Sequence, residues 1–263
     1  MPEYIVAIDL GTSNCCVSYA NTESKEVRAL DFWGKNIYPS VVYYKPDGTY
    51  ESGQSAVIRY RRNDGVVNYM KRILAKKNKD IPQQVIDSCK SEVVSGPKGF
   101  AAFKVNGSIK LPEDVLTDLV RSMRERLIEV LSEEAGEVIV KKVIVTIPSN
   151  YVQDPIVYTK HIITNAGFNC KVTTLPEPVA ACMAYNITDM TDSGHFMVFD
   201  IGGGTCDVAL LSLNGSQFDV KDHVGNDIAG AVFDNLIREW PRKYFLTYVE
   251  KQKNSYRLLV HLT

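Results

Sequence analysis

The sequence predicts an α/β protein in which mixed sheets are flanked by helices and one structural unit occurs twice. Three observations support this prediction. Strand and helix patterns alternate over the second half of the chain, a long amphipathic helix begins near residue 111, and a strand–acid–glycine–strand pattern occurs near both ends. With 263 residues, of which 45% are hydrophobic, the chain is long enough to bury one or two cores.

The composition argues against several classes of partner. The formal net charge is −1, so no basic surplus indicates binding to nucleic acid or to an anionic membrane. No apolar run approaches the roughly 18–20 residues needed to span a bilayer. The N-terminus lacks a secretory pattern and leads straight into a strand, so we expect the mature protein to start here. We therefore predict a cytoplasmic protein without membrane or nucleic-acid partners.

The six cysteines also fit a reducing cytoplasm. None forms a CxxC pair and most lie in apolar surroundings, which favours buried, reduced thiols over zinc ligands or disulfides. They are Cys15, Cys16, Cys89, Cys170, Cys182 and Cys206.

In the first half, short strands dominate. An apolar run ends in an acid at Asp9, and the "PDG" in "YYKPDGTY" predicts a turn between two strands. The pattern is mixed from residue 51 to about 103, with a basic helix-like stretch "NYMKRILAKKNK", which predicts a small inserted subdomain at about 37–110. The strands predicted are Tyr4–Asp9, Cys15–Ala20, Val27–Leu30 and Val41–Tyr44.

In the second half, a long helix is predicted to begin at Pro112, with acids in its first turn, and to stop at Gly136. A buried strand at 141–148, a helix up to Gly167, a short strand near Val172 and a helix from Pro178 to Tyr185 follow. Residues 228–240 are predicted to be helical, and the last twenty residues are weakly patterned. We expect a first lobe at 1–188 and the start of a second, incomplete lobe at 189–263.

The repeated pattern is the most informative feature. "AIDLGTSNCCVSYA" (7–20) matches "VFDIGGGTCDVALL" (198–211), with Asp9 aligned to Asp200 and Gly11 to Gly202. Each copy predicts a strand, an acid, a tight glycine turn and a returning strand. A single Asp-x-Gly turn is common in ordinary hairpins, whereas two copies in matched hydrophobic frames indicate two similar lobes that face each other.

The residue types in these turns predict a phosphate site. Glycines let backbone N–H groups point at a phosphate without an intervening side chain, and the hydroxyls of Thr12, Ser13 and Thr205 can donate to it. Aspartates repel bare phosphate, so their presence predicts a hydrated Mg²⁺ between them. Neither the P-loop signature nor a Rossmann glycine fingerprint is present. Two opposed turns would therefore clamp a magnesium triphosphate.

These turns, with several other motifs, resemble the nucleotide-binding domain of the 70-kDa heat-shock (DnaK-type) chaperones, in the actin and sugar-kinase superfamily. The resemblance keeps family order along nearly the whole chain. It rests on "IDLGTSNCCV", "YPSVV", "MKRIL", "VIVTIPSNY", "LPEPVAACMAY", "FDIGGGTCDV" and "FDN". It implies an actin-like ATPase fold with duplicated ribonuclease H-like lobes.

The resemblance also implies roles for individual residues. Lys71 would act on the γ-phosphate and the attacking water, and Asp207 would assist the metal shell or accept a proton. Asp9, Glu177 and Asp200 would orient the hydrated metal and that water, with Asp9 and Asp200 contacting the metal through waters. The residues implied to bind nucleotide are Gly11, Thr12, Ser13, Asn14, Gly202, Gly203, Gly204, Thr205 and Gly230. Such a site positions reactants and neutralises charge, as phosphoryl transfer requires.

The side chains taken alone leave simpler interpretations open. Lys71 could be one solvated helix charge among its lysine neighbours. Glu177 could stabilise a helix N-terminus through the helix dipole. Asp207 could be an ordinary strand-end acid, and His161 and His223 have no partner pattern and are treated as structural.

Three departures from the family pattern bear on function. The chain ends where family members continue into a second small lobe that holds the adenosine, a linker and a peptide-binding domain. A fragment and a natural short form are both open, and we expect weak nucleotide binding and negligible turnover from these 263 residues. Gln153 and Ile156 occupy positions where the family has an Asp and an Arg, which relay the nucleotide state to the peptide-binding domain. Ala229 and Gly230 replace a pair of glycines.

The function expected is ATP binding and hydrolysis in a chaperone that assists protein folding, with ATP or ADP and Mg²⁺ as cofactors. Co-chaperones and nucleotide exchange factors are the protein partners that the resemblance implies. The alternative is an adaptor that keeps the fold without coupled hydrolysis. A sugar kinase or filament protein is a third class, although no further acid motif for a sugar hydroxyl is found.

Overall fold

The structure is a computed structural model, and it describes residues 1–59, 65–151, 153–185, 193–226, 228–230, 232–234, 236–237 and 239–240. The mixed α/β architecture predicted from the sequence is confirmed. The predicted boundary at residue 188 lies outside the described residues, as do Asn235 of the "FDN" motif and the last twenty residues. The strands are β1 Glu3–Asp9, β2 Asn14–Asn21, β3 Val27–Ala29, β4 Tyr38–Pro39, β5 Val41–Tyr44, β6 Tyr50–Ser52, β7 Val66–Asn68, β8 Glu92–Ser95, β9 Ala101–Val105, β10 Ser108–Lys110, β11 Ile139–Ile147, β12 Lys171–Pro176, β13 Ser193–Ile201, β14 Cys206–Asn214 and β15 Gln217–Asn226.

The helices fall into short and long classes. The labelled α-helices are α1 Gln54–Ile58, α2 Met70–Ile73, α3 Gln83–Ser88, α4 Pro112–Ala135, α5 Gln153–Asn165 and α6 Glu177–Ala184. The described residues at 230, 232–234, 236–237 and 239–240 are also helical, as predicted for this stretch.

The largest sheet has the strand order β12-β11-β1-β2-β3, and β4 pairs with β2. Strand β1 pairs in parallel with β11 and antiparallel with β2, so the carboxyl ends of β1, β11 and β12 lie at the same edge. Strands β1 and β2 alternate buried and half-buried residues, because one face of the sheet packs against the core. This edge of the sheet carries Asp9, Thr146 and Glu177 into the site described below.

Helix α4 fills the core beside this sheet and packs against α2 and α5. It begins with Pro112, has two acids in its first turn and ends at Gly136, whose φ of 72° is a left-handed value that favours glycine. Its buried residues follow the predicted helical period and include Leu119, Met123 and Leu127, which are almost inaccessible to solvent.

The second copy of the repeat forms its own three-stranded sheet, with the order β13-β14-β15. One face packs against α6, where Val179 and Cys182 contact Ala209 and Leu211. The Pro-Asp-Gly turn is as predicted, since β5 and β6 pair antiparallel around it. All six cysteines are free, but only Cys15 and Cys182 are buried as predicted, and the other four are partly exposed.

The basic helix-like stretch at 68–79 forms less helix than its sequence indicates. Helix α2 covers a single turn, and both Tyr69 before it and Ala75 after it have positive φ. The chain then pairs with a neighbouring segment: the Ala101 N–H donates to the Lys76 carbonyl at 2.9 Å, and Lys77 forms a bridge with Phe100. These backbone bonds to residues 100–101 replace the local helical bonds.

Candidate functional site

The two copies of the repeated pattern fold into two hairpins of the same design. Strand β1 ends at Asp9, which pairs with Cys16, and β13 carries Asp200, which pairs with Asp207. The connecting turns span residues 10–13 and 202–205. We call these turns the first loop and the second loop.

The two loops meet tip to tip. An added Cβ on Gly203 would lie 2.0 Å from Oγ of Ser13, and one on Gly204 would lie 2.6 Å from Cγ2 of Thr12. Both distances are too short for a real side chain, so the close approach of the loops depends on these glycines. Gly11 in the first loop is equally constrained, because a Cβ on this residue would lie 2.0 Å from the Asn14 carbonyl oxygen.

A cavity of about 660 Å³ opens beside the contacting loops. This volume is in the range of small-molecule binding sites. Of the residues predicted for the site, the cavity is lined by Asp9, Gly11, Thr12, Ser13, Asn14, Lys71, Glu177, Asp200, Gly202, Gly203, Gly204, Thr205 and Asp207.

Gly230 lies behind the second loop instead of lining the cavity. Its N–H donates to the carbonyl of Gly202 at 3.1 Å. The structure therefore places Gly230 as a support for the loop backbone.

The loop backbones offer hydrogen-bond donors. Within the described part of the chain, the amides of Thr12, Ser13, Gly203 and Gly204 donate no hydrogen bond to a protein acceptor, whereas the Gly202 amide donates to the Thr205 carbonyl at 2.9 Å. Unpaired amides beside a cavity form an anion-binding concavity.

Lys71 and Glu177 form the shortest ion pair at the site. The Lys71 Nζ donates to Glu177 Oε1 at 2.7 Å, and the side chains are only 10% and 22% exposed. The one turn of α2 positions Lys71, and the start of α6 positions Glu177 at the carboxyl end of β12. Burial alone would lower the pKa of Lys71, but the charges of Glu177, Tyr151 and Asp9 outweigh burial and raise the pKa. The ammonium group therefore stays charged at neutral pH.

The acids of the site crowd one another. Burial raises the pKa of Glu177 and outweighs the attraction of Lys71, and the nearby charges of Asp9 and Asp200 add to the rise. Burial also raises the pKa of Asp200, with further contributions from Asp207 and Asp9. Like charges held this close are relieved by a bound cation.

No group of three or more His, Cys, Asp or Glu side chains in the described ranges could hold a metal directly. A hydrated Mg²⁺ needs no such group, because it commonly keeps several waters and contacts one or two carboxylates through them. The crowded acids, the loop amides and the charged Lys71 thus fit a hydrated metal bound to phosphates.

Sequence reasoning assigned no role to several residues that line the same cavity. Thr146 donates from Oγ1 to Asp9 Oδ1 at 2.8 Å and so fixes that carboxylate, and Tyr151 follows it on the chain. Both belong to the quoted stretch "VIVTIPSNY", so the signal was present in the motif. Buried Arg72 also lines the cavity and lies in the quoted stretch "MKRIL", so the motif covered it as well.

A comparison with models of protein families shows which family the chain belongs to. The family model described as Hsp70 protein matches residues 5–260. The chain belongs to the Hsp70 family. The resemblance predicted from the motifs is therefore confirmed, as is the actin-like fold class that it implied.

Curated relatives agree with this assignment. The chain is 32% identical over 242 residues to the chaperone protein DnaK of Deinococcus deserti, a match covering 91% of this chain and 37% of that protein. It is 31% identical over 238 residues to the HscA homolog of Ralstonia nicotianae, covering 89% of this chain and 36% of that protein. The HscA homolog of Methylobacillus flagellatus is 30% identical over 244 residues. This Hsp70-family chain thus spans little more than a third of the length of these relatives.

Membership of the Hsp70 family supports a chaperone ATPase domain. In the part of the chain that the structure describes, no helix is long and apolar enough to cross a membrane.

The charge on Asp200 offers a direct test of acid crowding. Since folding raises the pKa of Asp200, the ionised carboxylate destabilises the folded state at pH values above that raised pKa. We expect Asp200→Asn to raise Tm at pH 7 in metal-free buffer and to leave Tm unchanged below about pH 3, where the acid is protonated in both states. Thermal unfolding followed by circular dichroism at both pH values measures this.

Asp222 provides the matched control, since it is an exposed acid on β15 of the same sheet. Asp222→Asn is expected to leave Tm unchanged at both pH values. A lower Tm for Asp200→Asn at pH 7 would contradict the prediction.

Proposed function

We propose that this chain binds a magnesium nucleotide by its phosphates, between the two loops, as part of an ATP-hydrolysing Hsp70-type chaperone. The observation that carries the proposal is the convergence on one cavity of two glycine loops, a charged lysine and crowded acids from different parts of the chain. We also propose that the two hairpins belong to two lobes divided near residue 188.

The residues of the site have distinct tasks in this proposal. The amides of the two loops would hold phosphate oxygens, and the hydroxyls of Thr12, Ser13 and Thr205 would add donors. Asp9 and Asp200 would hold Mg²⁺ through waters, and Thr146 keeps Asp9 oriented by its hydrogen bond. When bound, the ion neutralises charge on the phosphates.

Lys71 and Glu177 would carry the chemical step. The Lys71 ammonium can turn from Glu177 toward the terminal phosphate, where its charge stabilises the developing negative charge. Glu177 is then able to accept a hydrogen bond from the attacking water and orient it. Asp207, paired with Asp200 across the hairpin, would assist the metal shell or accept a proton. We also propose that the chaperone assists the folding of protein clients and that co-chaperones and nucleotide exchange factors are its partners.

Calorimetry tests the binding proposal. Mg-ATP, Mg-ADP and Mg-tripolyphosphate are each titrated into the chain, with EDTA in a parallel series. We expect all three to bind, with a Kd well above 1 µM (about −8 kcal/mol) because phosphate contacts alone supply limited affinity, and EDTA to abolish binding. Absence of heat for every ligand, or binding indifferent to EDTA, would overturn the proposal.

An adaptor without coupled hydrolysis is the second candidate, and one observation favours it. At the start of α5, Gln153 is exposed and Ile156 is half-buried, so neither position carries the charge that the family resemblance implies for a relay. Nucleotide binding without any turnover would favour this candidate.

A further inference from the structure

The first loop is held from behind by a buried serine whose role is not explained by phosphate binding itself. Ser40 follows β4 and is 2% exposed. Its hydroxyl Oγ donates to the Gly11 carbonyl at 2.7 Å, and its backbone N–H donates to the Ser13 carbonyl at 2.9 Å. One residue therefore bonds the carbonyl groups on both sides of Thr12.

A cysteine completes this arrangement. The Cys15 Sγ lies 3.2 Å from Ser40 Oγ and is fully buried. A hydroxyl has one proton, and Ser40 gives it to Gly11, so Ser40 Oγ can accept a hydrogen bond from the Cys15 thiol, which also lies 3.9 Å from the Gly11 carbonyl oxygen. Burial raises the pKa of Cys15 to about 12, which keeps the thiol protonated for this task. The result is a chain of hydrogen bonds from thiol to hydroxyl to carbonyl.

The second loop has a simpler counterpart. Gly202 aligns with Gly11 in the repeat, and its carbonyl also accepts from a donor outside the hairpin, the Gly230 N–H at 3.1 Å. In both loops, the carbonyl of the first glycine thus accepts a hydrogen bond from a residue outside its hairpin. A peptide whose carbonyl is fixed also has a fixed orientation of the next N–H, because the peptide unit is planar.

We propose that Ser40, supported by the Cys15 thiol, is a positioning residue that fixes the first loop so that the Thr12 amide, the N–H of the peptide whose carbonyl Ser40 bonds, points at phosphate. This inference rests on the proposed function for the identity of the ligand. Ser40 does not line the cavity, so it acts through the loop backbone and not by touching the ligand.

Ser40→Ala removes the hydroxyl and leaves the Gly11 carbonyl without its buried donor. We expect affinity for Mg-ADP to fall about tenfold, the effect of losing one buried hydrogen bond, and the NMR order parameter of the Thr12 amide to fall as well. Cys15→Ala removes the weaker thiol donor and keeps the Ser40 hydroxyl, so it should produce a smaller change in the same direction.

Ser52→Ala is the matched control. Ser52 is also a buried serine of this region, and its hydroxyl bonds Tyr38 at 2.7 Å without contacting the first loop. Ser52→Ala should change neither the affinity for Mg-ADP nor the order parameter of the Thr12 amide.

An unchanged affinity and Thr12 order parameter in Ser40→Ala, or an equal loss in Ser52→Ala, would overturn the positioning role. Failure of the wild-type chain to bind Mg-ADP would instead refute the proposed function. In that case, the order parameter alone decides whether Ser40 fixes the loop.

Discussion

Gly11→Ala is expected to destabilise the protein by about 3 kcal/mol, which corresponds to a fall in Tm of about 6–12 °C. The added methyl would lie 2.0 Å from the carbonyl oxygen of Asn14, and that oxygen belongs to the backbone. A flexible side chain could move away from the methyl, but the turn itself has to shift here. Since the same turn carries Thr12 and Ser13, affinity for Mg-ADP should fall together with stability. Chemical unfolding and calorimetry measure the two effects.

The repeat supplies the control for this substitution. Gly202 occupies the equivalent position in the second hairpin, yet an added Cβ there would lie 3.5 Å from the Thr205 carbonyl oxygen, an ordinary contact. Gly202→Ala should therefore change the free energy of unfolding by less than about 1 kcal/mol. Equal destabilisation by the two substitutions would show that the clash at Gly11 is not the cause.

Lys71→Met is expected to slow ATP hydrolysis about 100-fold, because a positioned charge on the terminal phosphate is lost in the transition state. Single-turnover hydrolysis of labelled ATP, with protein in excess, measures the chemical step even when turnover is slow. Methionine keeps most of the volume of the lysine chain, so the change in rate reports the charge.

The same substitution leaves Glu177, whose side chain is only 22% exposed, without its partner. We expect a loss of about 3 kcal/mol in unfolding free energy, most of which the double variant Lys71→Met/Glu177→Gln should recover. Lys79→Met is the control, because Lys79 is exposed and does not line the cavity, and it should change neither the hydrolysis rate nor the stability. A hydrolysis rate in Lys71→Met equal to that of the wild type would refute the assigned role of Lys71.

Much of the fold followed from local sequence. Both ends of helix α4 were predicted, because its start signal, Pro112, and its stop signal, Gly136, act within one turn of the helix. The hairpin strands were predicted because an apolar run lies on each side of the acid and the glycine turn.

The helix-like stretch around α2 shows where local signals fail. Its lysines favour helix, yet the backbone at Lys76 and Lys77 bonds to residues 100–101. Hydrogen bonds to a segment distant in sequence cannot be seen in a local pattern.

The candidate site was also predicted only in part from the sequence. The repeated turn and the family motifs identified the lining residues, and Asp9 and Asp200 do share one cavity. Thr146 as the partner of Asp9, the approach of Gly203 to Ser13 and the support of Gly11 by Ser40 were not predicted.

The sequence by itself determined the chemistry available to this protein: two acid-bearing glycine turns, a lysine and a glutamate, in the order typical of the Hsp70 family. Only the tertiary structure decided which groups contact one another, and hence which charges are paired and which carbonyls are held. The physical reason is range: propensity and periodicity act over a few residues, whereas the Lys71–Glu177 pair and the two loops join segments separated by more than a hundred positions.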